Sequence, residues 1–167
     1  MHAIRRCRPD ETSNILNIIN AGAEAYRGVI PADRWHEPYM TQPDLQDEIS
    51  AGVEFWGYEL AGDLLGVMGI RSVRDVELIR HAYVKPGSQR LGIGGSLIAH
   101  LRTLSTRRML VGTWADAEWA IRFYQRQGFD LVPQGTRTAE LLKTYWNIPA
   151  RQIDTSVVLA HPPFSSL

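Results

Sequence analysis

The spacing of apolar positions predicts two helices in the first 50 residues. After a short apolar start at residues 3–4, a helix opens at Pro9, and its apolar positions between residues 15 and 23 recur with a 3.6-residue period. An irregular, aromatic-rich stretch follows over residues 26–39. Thr41 begins a capping-box pattern, which predicts a second helix through Ser50.

The period then falls to two, which is typical of β-strands. Residues 53–60 and 64–71 flank a turn and read as a hairpin. The later elements that the pattern predicts are a strand at 76–84, a helix at 92–106, a strand at 109–114, a helix from its Asp116 cap to Gln127, a strand at 129–132, a helix at 137–146 and a strand at 155–160. This order predicts an α/β (α+β layered) fold.

Length and charge narrow the class of protein. The chain of 167 residues suits a single domain over residues 1–167, and no repeat or linker divides it. Its 18 basic and 18 acidic residues give no overall field for a nucleic acid or an anionic membrane. One cysteine, Cys7, excludes an internal disulfide framework, and the longest apolar run is too short to span a membrane. We therefore expect a cytoplasmic protein with no nucleic-acid partner, no membrane segment and no metal.

The most informative segment is a glycine-rich turn between the strand at 76–84 and the next helix. Gly92, Gly94 and Gly95 let the backbone approach a ligand, and the first helical amides, those of Ile93, Gly94, Gly95 and Ser96, have no intrahelical partners. With Arg90, the turn is a candidate phosphate site. The sequence matches neither the dinucleotide-binding fingerprint nor the nucleoside-triphosphate loop motif. Taken alone, the turn could also bind nothing.

Two motifs resemble one family. Gln89-x-x-Gly92-x-Gly94 resembles the Gln/Arg-x-x-Gly-x-Gly/Ala signature of the GCN5-related N-acetyltransferase (GNAT) superfamily, and residues 120–129 resemble its later helix. The element order agrees over roughly residues 3–160. The resemblance implies a mixed, mostly antiparallel sheet flanked by helices, with splayed strands at the site of its cofactor, acetyl-coenzyme A.

The resemblance also implies which residues hold this cofactor. The diphosphate would rest on the turn, and the pantetheine arm would run along the strand that precedes it. Ala117 departs from the asparagine that many members carry. The implied cofactor-binding residues are Ala82, Tyr83, Val84, Gln89, Arg90, Leu91, Gly92, Ile93, Gly94, Gly95, Ser96, Ala117, Ala120 and Tyr124.

The implied chemistry is acetyl transfer to the primary amine of a small molecule or peptide in a direct ternary complex. Tyr124 matches the family's tyrosine near the sulfur and is the candidate general acid. The base stays open between Glu77, at a place where some members carry a catalytic glutamate, and His81, which period-two alternation places on the same face. Other members use a glutamate on the next strand, where this chain has Gly112.

The acceptor and the assembly are less defined. Tyr26, Trp35 and Trp114 suggest an apolar or cation-accepting pocket for the amine. The alternative function is a non-catalytic coenzyme A-binding regulatory domain of the same fold. A homodimer paired through an exposed strand at 155–160 is left open.

Overall fold

The computed structural model describes residues 1–146 and 148–164. The strands in this part of the chain are β1 His2–Arg6, β2 Glu54–Leu60, β3 Asp63–Val73, β4 Val76–Val84, β5 Arg108–Trp114, β6 Asp130–Leu131 and β7 Ser156–His161. The helices are α1 Thr12–Ala23, α2 Gln42–Ser50, α3 Ile93–Leu104, α4 Glu118–Arg126, α5 Thr136–Tyr145 and α6 Ala150–Ile153. Short 3-10 turns lie at Pro9–Glu11, Glu24–Tyr26, Ala32–Arg34 and Gln89–Leu91.

The described strands form one sheet in the order β1-β2-β3-β4-β5-β7-β6. The pairs β1/β2, β2/β3, β5/β7 and β6/β7 are antiparallel. The predicted mixed, mostly antiparallel sheet flanked by helices is confirmed. β7 lies between β5 and β6 rather than at the edge of the sheet, so the exposed-edge argument for a homodimer through residues 155–160 is wrong.

Contacts group the chain into two compact units. The first unit comprises residues 1–72 and 79–104, and its core joins α1 and α2 to β2 and β3. The predicted capping box opens α2: Thr41 Oγ1 accepts a hydrogen bond from the Asp44 amide at 3.2 Å, and Asp44 Oδ2 accepts one from the Thr41 amide at 2.9 Å. The buried core residues are Ile15, Ile18, Ile19, Met40, Leu45, Val53, Phe55, Leu64 and Val67.

The second unit comprises residues 73–78 and the chain from Ser105 onward. Its core packs α5 against β5 and β7, with the start of β4 contributing Val76 and Leu78. Asn147 and residues 165–167 lie outside the described residues, and the single domain predicted for residues 1–167 stays a prediction. The remaining buried core residues are Leu110, Val132, Leu141, Leu142, Val158 and Ala160.

Two local predictions in the second unit need correction. Asp116 does not cap α4, because the helix begins at Glu118 with Ala117 as its N-cap and no side-chain cap. Gly128 follows the helix with a φ of +91°, as a helix-stopping glycine should. The pattern also missed α6, whose four residues are too few to show a helical period.

Within 1–146 and 148–164, no helix is long and apolar enough to cross a membrane. The same residues contain no group of three or more His, Cys, Asp or Glu side chains that could hold a metal ion.

Candidate active site

The turn that follows β4 is shaped by two glycines. Gly87 and Gly92 have φ values of +91° and +71°, which side chains rarely tolerate. The amide of Lys85 donates to the carbonyl oxygen of Leu65 on β3 at 2.8 Å, which holds the start of the turn against the sheet. A 3-10 turn over Gln89–Leu91 then leads into α3. The backbone therefore reverses over a few residues and presents the first turn of α3.

The start of α3 presents backbone donors. The Ser96 amide donates to the Gly92 carbonyl oxygen at 3.0 Å, so the prediction that the Ser96 amide has no intrahelical partner is wrong. The amides of Ile93, Gly94 and Gly95 precede this bond and have no acceptor among the residues that the structure describes. Three consecutive N–H groups at a helix N-terminus are a ready binding site for an anion.

Gly66 on β3 determines how closely α3 approaches the sheet, and sequence reasoning missed it. A Cβ at Gly66 would lie 2.7 Å from Ile93 Cγ2 and 3.4 Å from both the Tyr83 carbonyl oxygen and Val84 Cγ2. Ile93 is fully buried. Only a residue without a side chain allows Ile93, the first residue of α3, to pack on the strands at this point.

Exposed side chains flank the amides. Gln89, Arg90 and Leu91 are exposed, so the guanidinium of Arg90 is available to an anion beside the turn. Ala82, Tyr83 and Val84 on β4 are half-buried. The cofactor-binding residues that the resemblance implied in the first unit therefore lie in one segment, from the last residues of β4 to the first turn of α3.

Aromatic side chains gather around Tyr83 in the first unit. Its ring lies 6.3 Å from the rings of both Tyr26 and Tyr39, in edge-to-face geometry. Trp35 in turn lies 5.8 Å from Tyr39. A Cβ at Gly22 would lie 2.8 Å from Tyr83 Cδ1, so the missing side chain of Gly22 makes room for this ring. The structure thus brings Tyr26 and Trp35 into one cluster with Tyr83.

One cation already occupies this cluster. The guanidinium of Arg27 lies 4.9 Å from the centre of the Trp35 ring and pairs with the carboxylates of Glu24 and Glu37. The Trp35 indole also donates to Glu37 Oε1 at 2.8 Å. The hydrogen bonds from Trp35 and from Arg27 hold the pKa of Glu37 below its usual value. The protein's own arginine therefore fills the cation position on Trp35.

His81 interrupts the regular geometry of β4. Its φ of +55° is left-handed, and the consecutive side chains of Arg80 and His81 both contact Glu48 on α2. In a regular strand, consecutive side chains point to opposite faces. Side chains therefore do not alternate regularly between the two faces of β4 at His81. The prediction that His81 and Glu77 share a face assumed this alternation and is not supported. The tyrosine cluster and α2 place Tyr83 and His81 on the same side of the strand.

Glu48 is the partner that sequence reasoning missed. His81 Nε2 lies 2.9 Å from Glu48 Oε2, and Arg80 Nη2 lies 3.3 Å from the same oxygen. Burial raises the pKa of Glu48, but the hydrogen bond from His81 and the charges of Arg80, His81 and Arg71 lower it by more, so its pKa lies below the usual value. Glu48 is thus a carboxylate at neutral pH. Its pairing with His81 joins positions 33 apart in the chain, which no local pattern reveals.

The second unit holds the remaining candidates. Tyr124 is buried on α4, with its ring 5.0 Å from Phe123 and 5.9 Å from Phe129. Ala117 and Ala120 are buried near the start of the same helix, and Trp114 ends β5 half-buried. Ala117, Ala120 and Tyr124 are all buried, so they lie on the inward-facing side of this segment. The role of Trp114 beside the acceptor stays a prediction.

Two positions in this unit bear on the general base: Glu77, and Gly112, where other family members carry a glutamate. Glu77 is half-buried near the start of β4. At Gly112 a Cβ would lie 3.2 Å from Cε2 and Cζ2 of Trp146. The indole of Trp146 therefore covers the position where other family members carry a glutamate, and a longer side chain would displace this ring.

Comparisons with known proteins agree with this architecture. Residues 51–131 match the model of the acetyltransferase (GNAT) domain family. The PaiA N-acetyltransferase from Thermoplasma acidophilum, solved in complex with coenzyme A, is 14% identical, with 96% of this chain and 98% of that chain covered and a TM-score of 0.72. The ribosomal-protein-S18-alanine N-acetyltransferase from Escherichia coli is 15% identical, with 96% and 92% covered and a TM-score of 0.66.

A third solved structure is YncA from Salmonella typhimurium with its cofactor acetyl-CoA, which is 15% identical, with 100% of this chain and 98% of that chain covered and a TM-score of 0.62. No curated protein matches the chain. At these identities the solved structures share the fold. The fold and the matched segment define an acetyltransferase domain. The GCN5-related N-acetyltransferase superfamily recognised from the two sequence motifs is the family that this model describes over residues 51–131.

Proposed function

We propose that this protein transfers the acetyl group of acetyl-coenzyme A to a primary amine of a small molecule or peptide. The observation that carries the proposal is the row of unpaired amides at Ile93, Gly94 and Gly95, which follows a left-handed Gly92 inside the matched acetyltransferase segment. Relatives of the same fold solved with coenzyme A and with acetyl-CoA support this choice of anion.

The donor set fits the diphosphate of this cofactor. A single charge at a helix N-terminus gains only about 0.3–1 kcal/mol, so the three amides act together with the exposed guanidinium of Arg90. The backbone of Ala82, Tyr83 and Val84 would pair with the pantetheine arm, as an added strand pairs with a sheet edge. In the second unit, Ala117, Ala120 and Tyr124 would complete the contacts that the resemblance implies.

The protonated thiol of the single cysteine, Cys7, supports direct transfer in a ternary complex. A covalent route through sulfur needs a thiolate, and Cys7 is the only thiol in the sequence. Burial, with a smaller contribution from the charge of Glu11, raises the pKa of Cys7 to about 12. This thiol stays protonated at neutral pH and is a poor nucleophile, so the amine itself would attack the thioester.

The proposed roles conserve protons. A bond forms between the amine nitrogen and the acetyl carbon, the carbon–sulfur bond breaks, and coenzyme A leaves as a thiol. Tyr124 would donate a proton to the departing sulfur, because a phenol is neutral at pH 7 and a competent donor. Glu77 or His81 would take the proton that the amine loses. Tyr26, Trp35 and Trp114 would line the acceptor pocket, and the cation position on Trp35 is already filled by Arg27.

Ligand-dependent melting tests the cofactor. At 100 times its Kd, acetyl-CoA should stabilise the protein by about 2.7 kcal/mol, which raises Tm by roughly 5–10 °C, whereas NAD and ATP should not. Arg90→Ala should reduce the shift, while Arg6→Ala, whose exposed guanidinium pairs with Glu54, should not. Equal shifts for the three nucleotides would reject the assignment.

A panel of primary amines, followed by release of free thiol from acetyl-CoA, tests turnover. Acceptance of any amine supports the transferase. Tyr124→Phe should then lower kcat by roughly 10²–10⁴-fold with little change in the Kd for acetyl-CoA. Binding of acetyl-CoA with no release across the panel would instead favour the non-catalytic coenzyme A-binding domain.

A further inference from the structure

The contact between α2 and β4 has the form of a carboxylate–imidazole pair. Glu48 Oε2 lies 2.9 Å from His81 Nε2, and the two side chains are 26% and 14% exposed. The ring of Phe55 stacks on the imidazole with the ring centres 6.2 Å apart. The imidazole is therefore held on one edge by Glu48 and on one face by Phe55.

The partner of Nε2 decides which ring nitrogen accepts a proton. A carboxylate only accepts hydrogen bonds, so Nε2 of His81 must carry the hydrogen that Glu48 receives. The neutral ring then has its lone pair on Nδ1. Nδ1 has no hydrogen-bond partner among the described residues. It is also not one of the fully buried polar atoms that lack a partner in this part of the chain, so it is accessible. The pair thus presents a basic nitrogen that nothing in the described chain uses.

The backbone is strained at the same residue. A left-handed φ is unfavourable at a residue other than glycine, because Cβ comes too close to the backbone, and His81 has a φ of +55°. That conformation directs His81, as well as Arg80, towards Glu48. Strain of this kind persists where surrounding contacts impose it, and it is concentrated at functional sites. Here it lies one residue before the segment that we propose for the pantetheine arm.

We propose that His81 is the general base of the acetyl transfer, acting through Nδ1, and that Glu48 is its positioning residue. The inference rests on the proposed function. As the amine nitrogen bonds to the acetyl carbon and the carbon–sulfur bond breaks, the amine proton moves to Nδ1. Glu48 keeps the ring in the tautomer that can accept this proton and stabilises the imidazolium that forms. Glu77 is then not required as the base.

Three charged groups surround the imidazole pair. Glu48 is the acidic group that faces the ring, Arg80 shares the Glu48 carboxylate, and Arg71 on β3 acts on the same carboxylate. Phe55 on β2 adds no charge. The two arginines therefore offset part of the negative charge that Glu48 places beside the ring.

The kinetic test follows kcat/KM against pH with one amine from the panel. His81→Gln should remove the acidic limb and lower kcat by roughly 10²–10⁴-fold. Glu48→Gln keeps the side-chain size and an acceptor oxygen, so its limb should remain but move to lower pH, because the imidazolium loses its counter-charge. Asp47→Asn removes an exposed carboxylate from the same helix and should match the wild type.

Two results would overturn the assignment. If Glu77→Gln removes the acidic limb while His81→Gln keeps it, the base is Glu77. If Glu48→Gln gives the same profile as Asp47→Asn, Glu48 does not position the base. Both results presuppose that the wild-type protein releases thiol from acetyl-CoA. The proposed function itself fails if the wild type releases none, so the two failures can be told apart.

A readout without turnover tests the same pair. Long-range proton–nitrogen NMR correlations of the ¹⁵N-labelled protein distinguish the two imidazole tautomers, and His81→Gln assigns the signals. The proposal requires the neutral His81 ring to carry its hydrogen on Nε2, with a lower midpoint of ring titration in Glu48→Gln than in Asp47→Asn. A hydrogen on Nδ1 in the wild type would reject the pair, whatever the amine screen shows.

Discussion

Cys7 shows how burial changes the chemistry of one side chain. Its thiol has a pKa of about 12, against a usual 9.0, mainly because burial disfavours the thiolate. The thiolate fraction at neutral pH is then about 10³-fold smaller than in an exposed cysteine. Alkylation by iodoacetamide at pH 7.5 should therefore be much slower in the native protein than in urea. Equal rates would contradict the burial, and Cys7→Ala should retain kcat if transfer is direct.

Glu11 is a buried carboxylate whose partners reach solvent. It is 3% exposed and accepts hydrogen bonds from Arg5 Nη1 at 2.8 Å and Nη2 at 3.3 Å, with Arg8 Nη2 at 3.0 Å. Glu11→Ala should lower the free energy of unfolding by about 2 kcal/mol, since hydrogen bonds to charged groups contribute about 1.5–3 kcal/mol. Urea unfolding measures this change.

The control for Glu11 is its neighbour on the same short turn. Asp10 also pairs with Arg8, at 3.3 Å, but its side chain is 77% exposed. Asp10→Ala should therefore change the free energy of unfolding by less than about 0.5 kcal/mol. Similar losses in the two variants would mean that the burial of Glu11 is not what makes its pairing stabilising.

At the scale of elements, the approach of α3 to β3 controls the proposed cofactor site. A Cβ at Gly66 would lie 2.7 Å from Ile93 Cγ2, so Gly66→Ala should push the start of α3 away from the sheet. We expect the Kd for acetyl-CoA to rise roughly tenfold, because the amides of the first turn move with Ile93. Isothermal titration calorimetry measures the affinity.

Gly57 on β2 provides the matched control for Gly66. A Cβ there would press on the side chain of Leu64, and the substitution is again Gly→Ala in a strand of the first unit. Both variants should unfold more readily, by about 1–3 kcal/mol for overpacking. Only Gly66→Ala should weaken binding of acetyl-CoA, and an equal loss of affinity in Gly57→Ala would show that general destabilisation is the cause.

Elements with a clear period or a cap were predictable from the sequence. β4 has the predicted bounds Val76–Val84, and α2 begins with the predicted capping box. Their signals are local, because alternation and the Thr41–Asp44 pair lie within a few residues. The short α6 and the cap of α4 were not predictable, since four residues show no period and an acidic residue before a helix need not bond to its amides.

Parts of the candidate site depend on pairs that are distant in sequence. The turn at Gly92–Gly95 could be found because its donors and glycines are consecutive. Gly22, Glu48 and Gly66 could not, because each acquires its role only when another strand or helix packs on it. A left-handed residue such as His81 also defeats any rule that assumes regular alternation.

For the whole molecule, the net charge is zero, but individual carboxylates still make the free energy of unfolding depend on pH. The chain has 18 acidic and 18 basic residues, so net charge alone predicts little. Hydrogen bonds lower the pKa of several carboxylates in the folded protein, among them Asp75, which accepts from the Tyr145 hydroxyl at 2.6 Å, and Asp44, which accepts from the Thr41 amide. Such groups bind protons more readily in the unfolded chain than in the folded one, so acid favours unfolding.

The free energy of unfolding should therefore fall at both ends of the pH range. The contribution of Glu48, whose net pKa is lowered, is present above its usual 4.5 and is lost as pH falls below that value. Cys7 acts in the opposite sense: its stabilising contribution is present below its usual 9.0 and is lost as pH rises towards about 12. Urea unfolding between pH 3 and 11 should show a flat region near neutrality. Glu48→Gln should flatten the acidic decline and Cys7→Ala the alkaline one, and a variant that leaves its own limb unchanged would refute the pKa shift assigned to that residue.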